Sequence, residues 1–252
     1  MGCMLLPCFP EKDSNRREFL ASFLGALLFW RPHRKKLAGI PFRVIRNGHS
    51  ARRYLLIHGN EATAREVLTE HLRTAHGTAY LIENKNRNIQ FQGGELDPNR
   101  MFSRAGAERN LRTLNPKWQE DQILKALRIL DGERQKILDA VRPEKGDVLI
   151  AVHNNRDYSL ADEVASSNRT ALKDKGNPHE FCLCTDENDF QLLSNSSYNV
   201  VLQNRPQGVE DGSLSRYAAV AGFRYANLEA GLGQSDKQRR MLEWLDKTLP
   251  RA

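Results

Sequence analysis

The chain has 252 residues, enough for one large domain or two small ones, and its 40% hydrophobic and 27% charged content suits an ordinary soluble globular protein whose core needs no disulfide staples. The formal net charge of +7 is not spread over the chain: residues 1–53 carry eleven Lys/Arg against three Asp/Glu, and the remaining 199 carry 27 against 28. The body therefore has no excess positive charge with which to neutralise phosphates, and nucleic acid is not expected as a partner.

In chain order, the first feature is Arg16-Arg17 ahead of a charge-free run from Phe19 to Trp30. Twelve apolar or small residues are too few to span a bilayer, but they suit the hydrophobic region of an export signal of the twin-arginine type. The basic block Arg31 to Lys36 that follows opposes translocation. A membrane-surface anchor or a buried helix are the alternatives, and membrane contact is expected only through residues 1–38. The domain boundary is placed there, with 39–252 as the folded unit; a leader predicts an exported chain, periplasmic or membrane-associated, and otherwise a cytoplasmic one is expected.

From Phe42 onward strands and helices alternate. Tyr54-Leu55-Leu56-Ile57 is a short apolar run of the buried-strand type and stops at His58. A helix follows, with Val67, Leu68 and Leu72 on one face. Thr78 to Ile82 is the next strand. Pro116 to Val141 carries apolar residues at helical spacing, with Asp131-Gly132 as a possible break. Asp147 to Val152 is continuous and apolar, so buried on both faces, and ends at His153. The pair Cys182-x-Cys184 is expected as two ordinary thiols on or near a strand. Residues 185–215 read as long polar loops around a short strand at Asn199 to Gln203. Phe223 to Leu228 is the last strand, and Ser235 can cap a final helix carrying Met241, Leu242 and Leu245. This alternation predicts an α/β fold: a mixed, largely parallel open sheet with helices on both faces.

Sites in such sheets form at the carboxyl ends of strands. His58 and His153 both directly follow buried-type strands. His58-Gly59-Asn60-Glu61 adds a carboxylate three residues on, so imidazole and carboxylate can reach one ion together. A His-Glu pair also arises by chance, and His71, in mid-helix, is expected on the surface. Asn99-Arg100, within Asp97-Pro98-Asn99-Arg100, offers a planar fork and an amide for a carboxylate, although Asp-Pro-Asn also suits a plain turn. Glu229 ends the last apolar strand, where a charged residue is rarely buried unless paired or working. There it can take a proton from water and later donate it.

In chain order these elements are H-x-x-E, N-R, a strand-end histidine and a strand-end glutamate. Over about residues 52–245 the set resembles the zinc carboxypeptidase superfamily, and in compactness its succinylglutamate desuccinylase and aspartoacylase branch. The resemblance implies Zn2+ held by His58, Glu61 and His153, a substrate carboxylate bound by Asn99 and Arg100, and Glu229 as general base and acid. It also implies an arginine that polarises the scissile carbonyl, for which Arg87 is the nearest candidate, with Arg104 and Arg109 as alternatives. The implied activity is zinc-dependent hydrolysis of an amide in a substrate bearing a free carboxylate: a metallocarboxypeptidase acting on peptides, or alternatively an N-acyl amino acid deacylase. A binding module for carboxylated peptides, without turnover, is the rival from another class. The chain departs from the pattern at Pro98 and at Asn154-Asn155. Tyr198 and Tyr217 stand as candidates for the family's substrate-capping tyrosine, and Gly208 to Ser215 as a further pocket wall.

Overall fold

The computed structural model describes residues 33–174 and 176–252. Eleven strands and seven α-helices follow in the order β1 (His33–Leu37), β2 (Ile40–Asn47), β3 (Arg53–Leu56), α1 (Ala62–His71), β4 (Gly77–Ile82), β5 (Ile89–Phe91), β6 (Gly94–Leu96), α2 (Arg104–Leu114), α3 (Glu120–Val141), β7 (Leu149–Asn155), α4 (Leu160–Val164), β8 (Arg169–Ala171), β9 (Phe181–Cys184), α5 (Glu187–Leu193), β10 (Asn199–Leu202), α6 (Leu214–Ala221), β11 (Tyr225–Gly231) and α7 (Ser235–Thr248). A short 3-10 turn, Pro98–Arg100, precedes α2.

Nine strands form one sheet in the order β1-β2-β4-β3-β7-β11-β9-β10-β8, and β5 and β6 form a separate hairpin. The four central strands, β4, β3, β7 and β11, run parallel, and β2 and β9 close them antiparallel on either side. The fold is therefore the expected mixed α/β sheet. β4 and β7 are buried along their whole length, as continuous apolar runs in a covered parallel sheet must be.

Helices cover both faces. Leu55, Leu149, Ala151, Leu183 and Tyr225 pack against Ala107 and Leu111 of α2, Ile123 to Val141 of α3 and Leu214 and Ala218 of α6. On the opposite face Leu56, Ile150, Val152 and Leu228 pack against Val67 and Leu68 of α1, Phe190 and Leu193 of α5 and Met241, Leu242 and Leu245 of α7. Cys182 and Cys184 belong to this second layer as free, buried thiols.

Several boundaries differ from expectation. Residues 33–37, set aside with the leader, form the edge strand β1 paired antiparallel with β2. Four of its five residues, His33 to Lys36, are exposed; basic side chains blunt a sheet edge against further pairing. The rest of the leader lies outside the described residues. Among those described, no helix is long and apolar enough to cross a membrane. α3 runs through Asp131-Gly132 without a break and starts at Glu120, where Gln119 and Gln122 form a reciprocal capping box. Ser235 is the first residue of α7 rather than its cap. Residues 185–215 hold α5, whose start is capped by Asp186 accepting from the backbone of Asn188 and Asp189. His71 is the last residue of α1 and packs edge-on against Tyr54, with Nε2 3.4 Å from Asp246 Oδ2, so it is not a surface residue.

Candidate metal centre and substrate cavity

The parallel register sets the centre. β3 and β7 are neighbours, and β11 lies beside β7 with Glu229 opposite His153. His58, two residues past β3, therefore emerges at the same sheet edge as His153 and Glu229. All three are buried, at 1%, 4% and 5% exposure.

Glu61 stands at the N-cap position of α1 but makes no side-chain cap. Asn154 does that work: its Oδ1 accepts the backbone N–H of Ala64 at 2.6 Å, and its Nδ2 donates to Gln238 Oε1 at 2.9 Å. The Glu61 carboxylate is thereby free to turn toward the histidines. Gly59 is required in this turn, because a Cβ there would sit 2.3 Å from the carbonyl oxygen of Asn84.

His58 Nδ1 lies 2.9 Å and His153 Nδ1 3.2 Å from Glu61 Oε1. Among the described residues, these three form the group whose ligand atoms could hold one metal ion, all within 4.8 Å of one another. Tetrahedral zinc ligands at about 2.1 Å from the ion sit roughly 3.4 Å apart, so the observed spacing needs little adjustment. Glu61 Oε2 is buried without a hydrogen-bond partner among the described residues, an acceptor aimed at nothing in the chain itself. The donor set and this orphaned oxygen both fit a cation. Burial works against ionisation of Glu61, but His153 and His58 overcome it and hold the carboxyl down at about 2. Burial likewise opposes a charge on His153, and Glu61 more than offsets it, raising the imidazole above its ordinary value.

Asp97 orients His58. Its Oδ1 lies 2.9 Å from His58 Nε2 and also accepts the backbone N–H of Asn99 at 2.8 Å, while Arg87 holds Oδ2 from 3.1 Å. A carboxylate on the far nitrogen fixes the tautomer that leaves Nδ1 free as a ligand. Burial would raise the Asp97 carboxyl; His58 and Arg87 hold it well below the usual carboxylate range. Pro98 fits here, because the first position of the 3-10 turn needs no N–H donor. Asp97→Ala is expected to weaken metal affinity by about 10–100-fold with the fold retained, measured by competition with a chromophoric chelator. Unchanged affinity would remove Asp97 from this role.

Glu229 is held by two amides. Asn155 Nδ2 donates to Oε2 at 3.0 Å and Asn227 Nδ2 to Oε1 at 3.1 Å. Burial pushes this carboxyl above its ordinary range; Glu61 adds to that, while His153 and the two amides oppose it.

A cavity of about 610 Å3 opens over this centre, lined by His58, Glu61, His153, Glu229, Arg87, Asn99 and Arg100 among others. The structure thus brings these seven candidate residues to one cavity. Arg100 is one-third exposed and pairs with Asp211 at 3.2 Å, and Asn99 Oδ1 accepts the backbone N–H of Leu214. The loop bearing Asp211 comes this close because Gly212 has φ +79° and a Cβ on it would meet the Arg100 carbonyl at 2.2 Å. Of the stretch Gly208 to Ser215, Asp211, Ser213 and Ser215 line the cavity. Arg104 pairs with Asp131 and Arg109 donates to the Glu210 carbonyl, so neither lines the cavity; Arg87 does.

Tyr198 packs on Trp244 and Tyr217 on Phe223, both outside the cavity. Tyr158 and Tyr225 line it instead. Asn155, Asn227, Tyr158, Glu163 and Arg216 were not anticipated. Asn227 had a signal: it is two residues from Glu229 on a strand, hence on the same face. A wider hollow of about 820 Å3 lies elsewhere, around His71, Asp246 and Arg251. Its Asp246 is already paired with Arg52 and Arg251.

No family model matches the chain, and no curated protein matches it by sequence. Solved structures of similar outline include a protein of Shewanella baltica provisionally named a metallopeptidase, at 13% identity and TM-score 0.45, covering 93% of this chain and 92% of that one. A second, from Shewanella denitrificans and named likewise, shows 12% identity and TM-score 0.43 over 94% and 91%. The succinylglutamate desuccinylase/aspartoacylase of Rhodobacter sphaeroides shows 13% identity and TM-score 0.43 over 88% of this chain and 64% of its own.

Proposed function

We propose that this chain is a zinc-dependent hydrolase that cleaves an amide bond in a carboxylate-bearing substrate, acting as a carboxypeptidase on peptides. The observation that carries the reading is the placement of the buried Glu229 carboxylate opposite His153, in one cavity with a three-ligand centre and with Asn99-Arg100. A dead binding module has no need to keep a desolvated carboxylate there, because burying a charge is costly.

His58, Glu61 and His153 would hold the ion, and zinc in such a site supplies Lewis acidity toward a carbonyl and acidifies water. The chain's own groups do the rest. Glu229, kept basic by burial, accepts a proton from the attacking water and returns it to the leaving amine. Asn155 and Asn227 fix the direction of its two oxygens. Arg100 and Asn99 face the cavity and bind the substrate carboxylate, which sets how far from the chain end the cut falls. Arg87 lies on the same wall, with Asp97 holding its guanidinium, where it can steady charge building on the scissile oxygen.

The test is a library of peptides with free and with amidated C-termini, run beside N-acyl amino acids. Hydrolysis of the free-carboxylate peptides is expected, ending with chelator and returning with zinc. Turnover indifferent to chelator would overturn the reading, and turnover of N-acyl amino acids alone would move it to the deacylase.

A further inference from the structure

The cavity extends well beyond the metal centre. Tyr225, Asn227 and Glu229 are alternate residues of β11 and line it together, a wall of about 13 Å by strand rise. The metal centre lies at the Glu229 end. At the Tyr225 end stand Glu163, Ser166 and Gln203, joined by hydrogen bonds, and Tyr158, whose ring packs on Phe181, reaches Glu163 with its hydroxyl. The register places Gln203 there, because its N–H bonds to the Cys184 carbonyl and that of Thr185, the next residue, to the Tyr225 carbonyl.

Glu163 differs from four carboxylates that each face an arginine. Asp97 faces Arg87, Asp147 faces Arg52, Asp189 faces Arg224, and Asp211 faces both Arg100 and Arg216. Glu163 receives only neutral donors: the Tyr158 hydroxyl on Oε1, and Gln203 Nε2 at 3.1 Å and Ser166 Oγ at 3.3 Å on Oε2. Among the described residues no cation pairs with it. Burial pushes its carboxyl above the ordinary range and Asp211 adds to this; the Tyr158 and Ser166 hydrogen bonds and the charge of Arg216, which pairs with Asp211 instead, only partly offset it. Such a carboxylate gains most from a cation brought by a ligand. Arg100 and Arg216 share the one carboxylate of Asp211, so neither is free to neutralise Glu163 fully.

We propose that the Tyr225 end of the cavity is a specificity subsite for an ammonium group, with Glu163 as its counter-ion, so that the preferred substrate ends in a basic amino-acid residue. The proposal rests on the hydrolase reading above. The carboxylate of that residue lies at Arg100, its amide at the metal centre, and its unbranched side chain runs along Asn227 and Tyr225 to Glu163.

The zinc-supplemented full chain is assayed on N-acetyl-alanyl peptides ending in lysine, acetyl-lysine, norleucine or glutamate. Lysine is expected to exceed norleucine and acetyl-lysine in kcat/KM by about tenfold or more, the size of a charge-assisted pair made away from water. In Glu163→Gln the ratio is expected to fall to about one. Equal rates for lysine and norleucine in the parent chain, a lysine preference that survives in Glu163→Gln, or a preference for glutamate would each overturn the proposal. If no peptide is cleaved the hydrolase reading falls, and dissociation constants of the same four peptides decide the subsite: tighter lysine binding, lost in Glu163→Gln, supports it, and equal binding overturns it.

Discussion

Replacing Glu229 by Gln is expected to lower kcat/KM by about 10²–10⁴-fold, roughly 3–5 kcal/mol of transition-state stabilisation, while zinc binding and the fold persist. The surroundings explain why the substitution is clean. Asn155 and Asn227 each donate an amide N–H to Glu229, and the Oδ1 of each is buried without a partner among the described residues. A glutamine keeps one acceptor for one of them. Its new N–H₂ meets the other, which can rotate its amide and present Oδ1. The rotated amide leaves its own N–H₂ where Oδ1 had no partner, a cost set against removal of a carboxylate that burial disfavours. The melting temperature should stay close to that of the parent. Glu229→Ala, by contrast, would leave two amides facing a void and confuse lost chemistry with lost structure. Parallel metal analysis, calorimetry and peptide hydrolysis read the three quantities separately. Turnover retained in Glu229→Gln would remove proton transfer by this residue from the mechanism.

The main sheet was accessible in the sequence because its central strands are buried on both faces. Tyr54 to Ile57, Thr78 to Ile82 and Asp147 to Val152 are continuous apolar runs of strand length. A covered parallel sheet needs such runs, and the bounds of each lie within three residues of the observed strand's. The two site histidines were accessible for the same reason, since each follows such a run. What escaped notice lacks that signature. β1 has four exposed basic or histidine residues out of five, and only its pairing with β2 makes it a strand. α5 is seven residues long and depends on the Asp186 cap and on packing of Phe190 and Leu193, which local composition does not announce. The partners of the site residues escaped for a third reason. Asp97 meets His58 across 39 residues of chain and Asn155 meets Glu229 across 74, so only the folded register brings them together. Asn154-Asn155 looked like a departure from the family pattern. In the fold the first caps α1 and the second steadies Glu229.

Glu61→Ala should abolish high-affinity zinc binding and with it the stabilisation that zinc confers. Second-layer partners of a metal ligand are already worth about 10–100-fold in affinity. Loss of a ligand that both imidazoles face should exceed that, because no other carboxylate is placed to substitute: Asp97 is committed to His58 Nε2 and Arg87, and Glu229 to its two amides. In the parent chain, zinc at 1,000 times its dissociation constant should add about 4 kcal/mol to the folded state, since a ligand that binds only the native protein stabilises it by mass action. The variant should show no such gain. Its metal-free stability falls too, by a separate route, because Glu61 is the anionic partner of His153 in a buried pair. Melting curves with and without zinc separate the effects: the parent shifts upward with zinc, and Glu61→Ala starts lower and does not shift. A variant that still took up one zinc with parental affinity would place the ion elsewhere, and with it the chemistry assigned to His58, His153 and Glu229.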